Sequence, residues 1–96
     1  MTDNATATLS DYSTMSISEI AMEVRKNWKK VSPHAQPYLD AMFSLNKISD
    51  NYYADTGSSV VAYFLSNATS FTGEAARAIK KELNKRLQNV YLKNKI

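Results

Sequence analysis

The chain has no cysteine, one histidine, two glycines and two prolines. Absent cysteine removes disulfides and thiolate metal sites. So few glycines and prolines argue against a turn-rich β-sandwich and favour helices joined by short loops. No apolar run approaches the ~20 residues needed to cross a bilayer. The first residues also lack the basic and apolar regions of an export signal. A soluble, cytoplasmic protein is therefore expected. The chemistry of an enzyme is missing as well: there is no glycine-rich phosphate loop, no GxSxG and no recognisable pair of carboxylates. The expectation is a protein without catalytic activity, cofactor or metal.

What is present is a basic charge balance and strong helical patterning. The net charge of +3 is unevenly spread. From Glu74 onward, Arg77, Lys80, Lys81, Lys85, Arg86, Lys93 and Lys95 stand against Glu74 and Glu82, whereas acids outnumber bases before that point. A basic segment of this kind suits an anionic partner. It better suits a solvated helix face, because Lys and Arg are good helix formers.

Residues 1–15 are rich in Thr, Ser, Asp and Asn and hold few large apolar groups. They are read as a flexible tail ahead of a single helical domain over 16–96. Asn4 and Asn67 match the glycosylation pattern, by chance in a chain without an export signal. A first helix begins at the capping box of Ser16 and Glu19. Ile17, Ile20, Ala21, Val24, Trp28 and Val31 form its apolar stripe, and Ser32-Pro33 is expected to end it. Pro37 suits the first position of a second helix, which carries Tyr38, Leu39, Met42, Phe43 and Leu45. His34, between these helices, has no ligand or acid at useful spacing.

Residues 47–57 read as an irregular stretch. Asp50, Asp55 and Gly57 resemble parts of a calcium loop, but Tyr52 and Ala54 stand where ligands are required. The pair Tyr52 and Tyr53 suits a contact surface, or a cover over the junction of the second and third helices. The apolar run Val60–Leu65 is read as a buried third helix over Ser58–Ala68, since no second strand-like run exists to pair with it. After a turn over 69–73, a fourth helix carries Ala76, Ile79, Leu83, Leu87 and Val90 inward. Arg77, Lys81, Asn84 and Gln88 lie opposite, flanked by Lys80, Lys85 and Arg86.

The expected fold is all-α, a compact four-helix domain. Its expected core is Ile20, Val24, Trp28, Leu39, Met42, Phe43, Val61, Phe64, Leu65, Ile79, Leu83 and Leu87.

Four blocks of sequence also carry a resemblance. They are Pro37–Met42, Asp50 with Tyr52–Gly57, Val60–Ala68 and Gly73–Lys80. Together they resemble a group of short uncharacterised proteins from Gram-positive phages and plasmids, over about residues 16–87. The resemblance implies a mobile-element origin and a helical domain, and it implies no activity.

Two functions follow as expectations. One is binding to a host or phage protein. The other is nucleic-acid binding, with the third and fourth helices imitating a helix-turn-helix. The contact residues under these readings are Arg77, Lys80, Lys81, Lys85, Tyr52 and Tyr53. Protein binding ranks first, because Glu74 and Glu82 interrupt the basic helix and nothing in the pattern demands DNA. The helix also continues past Leu87 into Val90, Tyr91 and Leu92, an extension suited to a homodimer.

Overall fold

The computed structural model describes residues 12–95, with side chains through 90. Four helices form among the described residues: α1 (Ile17–Asn27), α2 (Gln36–Met42), α3 (Gly57–Ser66) and α4 (Glu74–Lys95). Between α2 and α3 lies a hairpin of two short antiparallel strands, β1 (Asn51–Tyr52) and β2 (Asp55–Thr56). The protein is mostly helical, but the all-α expectation is corrected by this sheet. A strand of two residues has too little periodicity to be read from sequence.

The capping box forms as expected. The Glu19 N–H donates to Ser16 Oγ at 3.1 Å, and the Ser16 N–H donates to Glu19 Oε1 at 2.8 Å. The next two amides, of Ile17 and Ser18, donate to the carbonyls of Asn46 and Leu45, both at 2.9 Å. The start of α1 is therefore seated on the loop after α2, and its otherwise unpaired donors are satisfied across the fold.

The helix ends at Asn27, well before Ser32-Pro33. Trp28 adopts an extended backbone, and its N–H makes the closing bond to the Val24 carbonyl. This turn brings the Trp28 ring into the core, stacked on Phe71 (5.2 Å between centroids) and edge-on to Phe64 (6.2 Å). Tertiary packing of one large aromatic thus overrides the local helical pattern.

Pro37 occupies the second position of α2, one later than expected, with Ala35 as N-cap. Leu39 and Met42 are buried, as is Leu45 just beyond the helix. The Asp50 carboxylate then accepts from the amides of Asn46 and Lys47, each at 2.9 Å, and closes the next turn. These bonds hold its pKa below the usual value. The pair Asn51↔Thr56 and Tyr52↔Asp55 sets the hairpin register. Gly57 follows, and its N–H donates to the Asp50 carbonyl at 2.6 Å. A side chain there would lie 2.6 Å from that oxygen and 2.7 Å from the Ile48 oxygen. The close approach of two backbones requires glycine.

Helix α3 starts at Gly57, one residue before the expected Ser58, with Thr56 as cap accepting from the Ser59 N–H. It packs against α2, α4 and the hairpin, so it occupies the centre of the fold. Val60, Val61 and Phe64 are buried on it.

The core contains Ile20, Val24, Trp28, Leu39, Met42, Val61, Phe64, Ile79 and Leu83 as expected. Phe43, Leu65 and Leu87 are only partly buried at its margin. Ile17 and Leu45, placed on the apolar faces of the first and second helices, also join the core, and Tyr12 and Phe71 do so without having been expected there. Of the expected tail, residues 1–11 lie outside the described residues. Residues 12–15 depart from the expectation, because Tyr12 is buried and Met15 packs against the core. No helix of the described residues is long and apolar enough to cross a membrane.

Candidate binding surfaces

The six expected contact residues fall on two elements. Arg77, Lys81 and Lys85 recur every four residues on α4 and are exposed. None makes an ion pair among the described residues, whose two pairs are Lys26–Glu23 and Arg86–Glu82. Lys80 is half-buried, with its ammonium 5.8 Å from the centre of the Phe71 ring. That contact turns Lys80 into a cover for the Trp28–Phe71 stack.

Arg86 departs from the expected solvent-facing flank. Its side chain is 16% exposed, and its Nε lies 2.6 Å from Glu82 Oε2. The same guanidinium donates to the carbonyls of Tyr12 (3.0 Å) and Ser13 (3.3 Å). It fastens the segment before α1 onto α4. Burial, together with the negative charge of Glu23, raises the pKa of the Tyr12 phenol.

Tyr52 and Tyr53 sit on the hairpin, beside α3. Tyr52 is partly buried against the core, and Tyr53 is 90% exposed. Tyr53 is the first residue of the hairpin loop, and its φ of 55° lies in the left-handed region. The two rings meet edge-on at 4.8 Å. Another aromatic lies at the surface without having been named as a candidate contact. Tyr63, placed within the buried run, is 56% exposed and its ring lies 5.5 Å from Tyr38. The helical reading of this segment, with Val60, Val61, Phe64, Leu65 and Ala68 as the core face, already turns positions 62 and 63 away from the core.

The helix-turn-helix expectation meets a different connection. Seven residues, 67–73, separate α3 from α4, whereas the motif uses a turn of about three to four residues. Phe71 of this segment is buried, and Gly73 (φ 107°) sets the entry into α4. His34 is exposed, and its backbone N–H donates to Ser32 Oγ. Asn67, one of the two glycosylation matches, donates through its side-chain amide to the Tyr63 carbonyl. Asn4, the other, lies outside the described residues.

No family model, curated protein or solved structure matches the chain.

Proposed function

We propose that the four helices form one compact, non-enzymatic scaffold that acts in the cytoplasm by binding another protein, with the tyrosines around the hairpin as the contact. The observation that carries this reading is Tyr53. A residue with a bulky side chain held at positive φ costs roughly 1–3 kcal/mol, and this one directs its ring away from the core at 90% exposure. The Tyr52 ring braces it edge-on, which lowers the entropy lost on contact. Exposed, preorganised tyrosines suit protein contacts, because they offer apolar area together with a hydroxyl. The mobile-element origin implied by the resemblance agrees with this reading, since small proteins of that kind readily act on host or phage proteins. That agreement is analogy.

A photo-crosslinking side chain at residue 53 tests the proposal. In a host lysate it should trap a discrete partner that excess wild-type protein competes away. The same group at Lys81 should not. Trapping from residue 81 alone would reverse the assignment.

The exposed row of Arg77, Lys81 and Lys85 supports a second reading, nucleic-acid binding by α4. Contacts with phosphates would make affinity fall steeply with salt, through counterion release. The expected result is no binding of a random duplex at ~50 mM salt, where such contacts are strongest. Binding that is abolished by Lys81→Glu with Lys85→Glu would establish the second reading instead.

A further inference from the structure

Helix α4 continues past its last described contact with the core. Leu83 is buried, and among the described side chains Leu87 is the last on α4 to pack against the core. The helix nevertheless continues to Lys95, eight residues beyond Leu87, or about 12 Å at 1.5 Å per residue. Two helical turns by themselves are marginal in water, so this end of the helix gains from a surface to pack on. Their sequence extends the apolar stripe through Val90 and Tyr91, adds Lys93 and Lys95, and contains no acid after Glu82.

A groove of the opposite character lies at the root of this end. Arg86 grips the carbonyls of Tyr12 and Ser13. The next residues, Thr14 and Met15, line an open groove of about 440 Å³ with Glu19, Met22 and Glu23 of α1. Met22 is 61% exposed there. Glu23 has only a loose pairing with Lys26, at 3.8 Å. One oxygen of Glu19 serves the capping box.

We propose that this groove receives the end of α4 from a second copy of the chain, giving a two-fold dimer in which each copy supplies one helix end and one groove. Charge selects the occupant: two carboxylates and two thioethers face a helix end that is apolar and basic. Residues 1–11 are the poorer occupant, because they carry Asp3 and Asp11 and no Lys or Arg. Position supports the symmetry. The groove adjoins the root of the helix that would leave it, so a reciprocal exchange closes on itself. The inference goes beyond the partner binding proposed above and uses a different face.

Sedimentation of the full-length chain tests it through charge exchange. Wild type should pass from monomer to dimer mass with rising concentration, and the dimer should weaken between ~0.05 and ~0.5 M salt. Glu23→Lys alone and Lys93→Glu with Lys95→Glu alone should each be monomeric where wild type is dimeric. An equimolar mixture of these two variants should restore the dimer, because the unaltered acidic groove then meets the basic helix end, and the acidic helix end meets the groove in which a lysine replaces Glu23. Restoration by mixing also excludes misfolding as the cause of the loss. Met22→Asp should weaken dimerisation at least ~10-fold, from lost apolar burial. A wild type that stays monomeric throughout, single variants that remain dimeric, or monomeric variants that mixing does not pair would each overturn the proposal.

Discussion

Trp28 lies against Phe71, with ring centroids 5.2 Å apart and planes 22° from parallel. Trp28 has just left α1, and Phe71 belongs to the connection between α3 and α4, so this stack joins two segments that no backbone ladder links. Phe71→Ala removes one ring and leaves the other beside a cavity. It should lower stability by about 3–5 kcal/mol, a large part of what a small domain possesses. Urea unfolding followed by tryptophan fluorescence measures this loss. A change below about 1 kcal/mol would show that the stack is not part of the core.

Gly57→Ala places a methyl group against two carbonyl oxygens of the backbone. Neither oxygen can turn aside as a flexible side chain would, so the hairpin or α3 must shift. The expected loss is about 1–3 kcal/mol or more, read as a lower thermal midpoint. Gly73→Ala meets open space but keeps a φ of 107°. Its loss should stay near 1–2 kcal/mol.

Arg86→Ala leaves the Glu82 carboxylate, 13% exposed, without its cation, and leaves the Tyr12 carbonyl with the Met15 N–H as its one donor among the described residues. About 1–3 kcal/mol should be lost. Amide exchange should quicken first in residues 12–15, ahead of the body of α4. Arg86→Lys should not restore protection, because one ammonium cannot reproduce the planar fork that reaches a carboxylate and two carbonyls.

Asp50 makes stability depend on pH in a stated direction. Its folded pKa lies below the usual value of about 3.9, because the amides of Lys47 and Asn46 donate to the carboxylate. A group depressed on folding contributes above its unfolded pKa. That contribution declines as the pH falls below about 4 and is lost through the folded value. Asp50→Asn should therefore lower the urea midpoint at pH 7 and have less effect at pH ~2. An equal effect at both pH values would show that the amide bonds are not charge-assisted.

Local signals carried much of this. The capping box at Ser16 and Glu19 forms because both partners lie within one helical turn. The inner stripe Ala76, Ile79 and Leu83 is buried because its spacing matches the helical period. The candidate contacts were less legible. Arg77, Lys81 and Lys85 are exposed as their positions on the helix implied, but Lys80 covers an aromatic ring and Arg86 is held by Glu82. Charge alone does not distinguish a free cation from one engaged by a distant carbonyl.

Sequence by itself determined the helical character, the caps and the faces that turn inward, because these depend on neighbours within about four residues. Tertiary structure decided where α1 stops, why Phe71 and Tyr12 are buried and why Gly57 is glycine. Each of those outcomes depends on partners far away along the chain. The Trp28 ring meets Phe71, Arg86 meets the Tyr12 carbonyl, and Ile17 donates to Asn46. Contacts of that separation leave no period in the sequence, because only the closed fold brings their partners within bonding distance.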